Sequence, residues 1–149
     1  MIAKEISIAP WVQQFVDMYQ VLNKHNLHLL AEVYAAEIRF TDPLHQIEGL
    51  SALQRYFAGI YANVESLRFE IETVITAGDD AALTWVMHFT HPKLNGGQVI
   101  SVSGMTHLRQ GDDKIVCHRD YFDAGQMLYR HVPLLGTAIN IINRRLVSA

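Results

Sequence analysis

The chain is poor in cysteine, in basic runs and in long apolar stretches, and each shortage excludes something. Cys117 is the lone cysteine among 149 residues, so no disulfide can form within the chain and a buried, inert thiol is its expected role. Basic residues cluster nowhere beyond Arg144-Arg145, a pair expected at a solvated helix end. With a net charge of −3, the chain carries no electrostatic footprint for nucleic acid. No apolar run approaches the roughly 18 residues of a membrane span. The opening "MIAKEISIAPW" lacks the apolar core of a secretory signal, and a cytoplasmic protein is expected. Eight histidines are present without a His-x-x-x-His or Cys-x-x-Cys spacing, so neither a metal site nor a cofactor is expected.

What the chain does have is apolar patterning. Half of its residues are hydrophobic and 18% are charged, which suits one domain with a sizeable core. From Pro10 to Asn23 the stripe Trp11, Phe15, Met18/Tyr19 and Leu22 predicts an amphipathic helix, with Pro10 in its first turn. A second helix is expected after Asn26 as cap, with Leu27, Leu30, Val33 and Tyr34 inward. "EIRFTDP" reads as a short strand stopped at Asp42-Pro43. Gly49 opens a third helix, in which Ser51 and Gln54 have capping-box spacing and Leu53, Tyr56/Phe57 and Ile60/Tyr61 form the inner stripe.

Beyond Asn63 the period changes from 3.6 to 2. "SLRFEIETVITA", "AALTWVMHFTH", "QVISVSGMTHLRQ" and "KIVCHRDYFDAG" read as four strands, joined by "GDD", "PKLNGG" and "GDD" in an antiparallel meander. A C-terminal helical extension over about 133–147 offers Leu134/Leu135, Ala138/Ile139, Ile142 and Leu146 as one face. The sum is a single α+β domain with helices layered on a sheet. In "LTWVMHF", Leu83, Trp85, Met87 and Phe89 alternate with Thr84, Val86 and His88. The first set is wholly apolar and must be covered. Because the helices cover one sheet face only, a homodimer through the other is expected, with a long loop or the C-terminal helix as the rival cover.

Two segments carry a resemblance, "FTDP…EGLSALQRYFAGIY" and "HRDYFD". With the order of elements over about residues 10–130, they resemble the superfamily of nuclear transport factor 2, ketosteroid isomerase, limonene epoxide hydrolase and the SnoaL-like polyketide cyclases. The resemblance implies a cone-shaped fold in which a strongly bent mixed or antiparallel sheet and N-terminal helices enclose an apolar pocket. Asp42 falls where the isomerase has its general base. The isomerase's oxyanion tyrosine falls on Met18, beside Tyr19, and its protonated aspartic acid on Thr106. Asp120 matches a catalytic aspartate of the hydrolase, whose partner arginine and second aspartate fall on Val86 and His88. Its water-positioning tyrosine and asparagine fall on Phe40 and Asp42.

Strand alternation places His118, Asp120 and Phe122 on one side and Arg119, Tyr121 and Asp123 on the other. A buried aspartate needs a partner, which His118 or His88 can supply, and a paired histidine is held in one tautomer for acid–base work. The expected catalytic set is Asp42, Asp120 and His88. The expected substrate contacts are His118, Thr106, Phe40, Tyr56, Phe122 and His45. The reading is cofactor-independent proton-transfer chemistry, isomerase- or cyclase-like or hydrolase-like, on a hydrophobic small molecule. The other reading is a non-catalytic dimeric module that binds a ligand or a protein.

Overall fold

The computed structural model describes residues 8–147. Pro10–Val21 forms α1, in which Phe15, Met18 and Tyr19 of the expected stripe are buried together with Val12 and Val16, while Trp11 is half-buried. The second helix differs from expectation. It shrinks to a 3-10 turn, Leu27–Leu29, and one α turn, Leu30–Val33 (α2), because Tyr34 already begins strand β1, Tyr34–Thr41. Tyr34 pairs with Ile115 across the sheet, and strand pairing of an aromatic residue prevails over a helical spacing only one turn long. Asn26 does not cap this helix. Its side chain instead ties the preceding turn, accepting from Asn23 N and donating to the Val21 carbonyl.

Beyond Pro43 the chain returns as a short strand, β2 (Gln46–Glu48), and then enters helix α3 (Leu50–Asn63). Gly49 is the cap residue, at φ +89°, a conformation that favours glycine. Ser51 therefore sits inside the first turn, and the capping-box bond suggested by its spacing is not made. The four later strands are β3 (Ser66–Ala77), β4 (Asp80–Thr90), β5 (Ile100–Gln110) and β6 (Ile115–Phe122). They form the expected antiparallel meander, and β1 adds to β6 in parallel, giving a six-stranded sheet in the order β2-β1-β6-β5-β4-β3. The fold is α+β, with a mixed sheet and helices against its inner face. No helix among the described residues is long and apolar enough to cross a membrane.

Leu83, Trp85 and Phe89 of β4 are buried on the inner face, toward the chain's own helices. The apolar face that suggested a dimer partner is thus covered from within. His88, of opposite parity, lies on the outer face, where Nδ1 is 2.7 Å from Ser101 Oγ and Nε2 is 3.3 Å from Glu70 Oε2.

One glycine on the inner face has a specific task. Gly104 lies between Trp85 and Phe122 in the sheet register, and a Cβ there would stand 2.2 Å from Trp85 Cη2. The indole lies flat across the gap this leaves. Gly104→Ala is expected to cost about 1–3 kcal/mol by overpacking, read by urea unfolding, and to shift tryptophan emission as the indole is displaced.

After β6, Asp123 accepts from Gly125 N and Gln126 N and so caps the short helix α4 (Ala124–Met127). The C-terminal helix α5 (Leu135–Val147) packs against the turn Tyr129–His131 and exposes Leu135, Ile141, Ile142 and Leu146.

Candidate functional site

A cavity of about 530 Å³ opens between the inner sheet face, α3 and α4. Its walls are largely apolar, with Phe40, Phe57, Phe69, Trp85, Phe89 and Phe122 among them, and Met127 and Leu128 close one side. That size and lining suit a small apolar ligand oriented by a few polar groups. Asp120 is one such group, and Asp42, His45 and Tyr56 form another cluster.

Asp120 owes its place to register. It faces Thr106 directly across β5 and β6, and the parallel pairing of β1 puts Phe40 beside His118. Thr106 Oγ1 donates to Asp120 Oδ1 at 2.5 Å, and His118 Nε2 lies 2.7 Å from the same oxygen. Trp85 Nε1 donates to Thr106 Oγ1 at 2.8 Å, so the threonine hydrogen is directed at the carboxylate. On the other side, His118 Nδ1 is 2.7 Å from Tyr34 Oη, which is 2.7 Å from Tyr19 Oη. A hydrogen on His118 Nε2 is directed at Asp120 Oδ1. With Nδ1 as acceptor the phenol hydrogens run from Tyr19 to Tyr34 and from Tyr34 to His118, and with Nδ1 as donor they run the other way. Burial pushes both phenols far above their ordinary range, so they remain neutral links. Thr106 and His118 both meet the carboxylate at Asp120 Oδ1. Among the described residues, Oδ2 has no hydrogen-bond partner.

Asp42 is held differently. Its Oδ1 accepts from Leu44 N and His45 N at 2.7 Å each, the geometry of an aspartate that closes its own turn. Its Oδ2 accepts from Tyr56 Oη at 2.6 Å, and His45 Nδ1 lies 3.2 Å from Oδ1. Burial and this hydrogen bond to Asp42 push the Tyr56 phenol well above its usual range. Both carboxylate oxygens of Asp42 are therefore engaged in fixing the loop at the cavity mouth.

The structure brings most of the sequence-predicted site together, with changes of role. Phe40, Tyr56, Phe122 and His45 line the cavity with Asp42 and Asp120. Thr106 and His118, each 3% exposed, stand behind Asp120 rather than in the cavity wall. His88 does not meet Asp120, because its parity on β4 turns it to the outer face. Sequence reasoning placed Tyr34 in a helix core and missed its part in the chain. Tyr19 is expected from the sequence as part of the first helix's apolar stripe and beside Met18 in the resemblance, and it reaches the site and lines the cavity. Among the described residues no three His, Cys, Asp or Glu side chains are grouped to hold a metal ion.

Solved structures share this fold. An NTF2-like protein of unknown function from Burkholderia pseudomallei superposes with a TM-score of 0.73 at 15% identity, covering 85% of this chain and 99% of that one. The putative hydroxylase AclR from Streptomyces galilaeus gives 0.68 at 21% identity, covering 88% and 98%. A putative SnoaL-like polyketide cyclase from Jannaschia gives 0.67 at 15%, covering 78% and 90%. Among curated proteins no sequence match is found. The SnoaL-like domain model matches residues 12–118, most of the region that builds the cavity, and the chain belongs to that family.

Proposed function

We propose that this protein is a cofactor-independent acid–base catalyst that moves protons on an apolar carbonyl compound, in an isomerisation or aldol-type cyclisation. One observation carries the reading. Asp120 Oδ1 is held by Thr106 and His118 while Oδ2 stands free in the wall of an apolar cavity. A carboxylate anchored through one oxygen and unoccupied at the other is positioned as a general base. Oδ2 takes the proton from a carbon next to the carbonyl, the C–H pair becomes a C=C bond, and the carbonyl π pair moves onto oxygen. The proton then returns from Oδ2 at the same or a conjugated carbon. Thr106 and His118 keep the carboxyl in place throughout, and the aromatic walls exclude water. Likeness to proteins named as polyketide cyclases agrees with this chemistry.

Of the two aspartates the base is Asp120, since Asp42 is committed to Leu44, His45 and Tyr56. Addition of water to an epoxide or enone is a variant that uses the same carboxylate. The reading includes a cytoplasmic setting and a homodimer across the outer sheet face, where Met105 and Tyr121 are exposed.

The test is solvent exchange. Incubated in deuterium oxide with 2-tetralone, a bicyclic enolisable ketone, the protein is expected to speed deuterium uptake next to the carbonyl, followed by proton NMR. Binding of the ketone without faster exchange would instead identify a non-catalytic binding module.

A further inference from the structure

Helix α3 presents one polar edge to the cavity. Arg55, Gly59 and Asn63 follow one another at four-residue spacing, so they share a face of the helix, and all three line the cavity. All three are also exposed, which places this edge at the rim. Arg55 continues outward, since it also lines the adjoining shallow cleft with Leu44, His45 and Glu48. Its guanidinium has no hydrogen bond or ion pair among the described residues. The arginines of the sheet and of the turn after α4 are all engaged. Arg39 meets Cys117, Arg68 pairs with Glu70, Arg109 with Asp80 and Arg130 with Asp123, and Arg119 lies over the Tyr121 ring. Gly59, one turn from Arg55, has no packing reason to be a glycine. Inside a helix glycine is unfavourable against alanine, and a Cβ here would meet nothing within 4 Å. What glycine does provide is an open strip of helix surface between the cavity and the guanidinium.

We infer that this rim is a second subsite, where Arg55 binds a carboxylate that the apolar ligand carries on a short chain lying over Gly59. A guanidinium matches a carboxylate through two parallel N–H···O bonds, and it is exposed here to receive one. Charge sets the direction of entry. Asp42 and Asp120 line the cavity and oppose an anion inside it, and Glu48 opposes one farther out in the cleft. Arg55 lines both spaces and so marks their junction. His45, the other basic group at the mouth, is already paired with Asp42. The ligand's apolar part is thus inside, with Asp120, and its acid at the rim. This rests on the cavity as a ligand site but not on what Asp120 does there. Joined to the proposed chemistry, it narrows the substrate class to an apolar carbonyl compound with an acidic side chain.

The experiment measures calorimetric affinity for 6-phenylhexanoate and 6-phenylhexanamide, which differ in charge and hardly in shape. The wild type is expected to prefer the acid by about three- to fivefold at low salt, the scale of an exposed ion pair. The preference should fade in about 1 M salt, where the screening length is about 3 Å. Arg55→Gln should abolish it and leave amide affinity unchanged, and Arg55→Lys should restore part of it. Gly59→Leu should weaken both probes by filling the strip, with no fall in melting temperature, since leucine favours a helix. An acid preference that survives in Arg55→Gln overturns the inference, as does equal binding of acid and amide by the wild type. Loss of affinity for both probes in Arg55→Gln overturns it as well, since Arg55 would then serve the fold. Undiminished binding by Gly59→Leu removes the path over the helix, and a wild type that binds neither probe overturns the subsite altogether. Deuterium exchange into 2-tetralone separates this from the catalytic reading. Exchange without acid preference keeps Asp120 as the base and removes the rim subsite, and acid preference without exchange does the reverse.

Discussion

Asp120→Asn is expected to reduce deuterium exchange into 2-tetralone by about 10²–10⁴-fold, the usual contribution of a positioned general base. The substitution is informative because asparagine keeps what the fold needs. Its carbonyl oxygen still accepts from Thr106 and His118, both of which are committed as donors at that point. The amide nitrogen takes the place of Oδ2 and offers hydrogens where the reaction needs a lone pair. The melting temperature should therefore move by only a few degrees while exchange collapses. Asp120 is half-buried at the cavity wall, so the variant also loses a charge that was partly desolvated, which works toward stability. Exchange that persists within about threefold of wild type would remove Asp120 from the base role. A collapse of the fold would instead mark the carboxylate as a structural charge.

His118→Phe is expected to have the opposite profile, with stability falling first. The ring sits among Phe15, Tyr19, Tyr34 and Phe40, with centroid distances between 4.6 and 6.3 Å, and a phenyl group can occupy that space. Both ring nitrogens are engaged, however, with Tyr34 on one side and Asp120 on the other. Phenylalanine leaves the buried Tyr34 hydroxyl with Tyr19 as its one partner and removes one of two donors from the carboxylate. With about 1 kcal/mol for the neutral hydrogen bond lost and about 1.5–3 kcal/mol for the one to the carboxylate, a loss of about 2–4 kcal/mol is expected, measured as a lower urea midpoint at unchanged slope. Exchange activity should fall as well, because the carboxylate loses its orientation. Tyr34→Phe as a companion should cost less, since it leaves the His118–Asp120 pair whole. Equal losses from the two substitutions would mean that the chain of bonds acts as one unit.

The difference between these two residues also explains which parts of the molecule could be read in advance. Both lie in "HRDYFD", and strand alternation alone put His118, Asp120 and Phe122 on one side and Arg119, Tyr121 and Asp123 on the other. The four-strand meander was equally legible, because "GDD" turns and period-2 patterning are local signals. What bound His118 to Tyr34 was not local. The parallel pairing of β1 and β6 brings together two side chains 84 positions apart, and no short-range pattern announces it. Tyr34 was further obscured because Leu27, Leu30, Val33 and Tyr34 fit a helical spacing as well as the start of a strand.

His88 was misplaced for an instructive reason. Alternation on β4 correctly separated it from Trp85, Met87 and Phe89, but that apolar set looked like an outer surface awaiting a partner. A cavity for an apolar ligand is lined by the same residue types as a core, and patterning cannot tell the two apart.

The anchoring of Asp120 has a stereochemical consequence. In the proposed reaction, with Oδ1 fixed by Thr106 and His118, Oδ2 is the single reacting oxygen, while Asp42, the other carboxylate lining the cavity among the described residues, is tied up at the mouth. A flat ligand between the aromatic walls can thus meet its base from one side only. The proton that departs and the proton that returns use the same face, so of two mirror-related hydrogens on a carbon one is exchanged and the other retained. Handedness in the product would then originate in two hydrogen bonds to an oxygen that never touches the substrate.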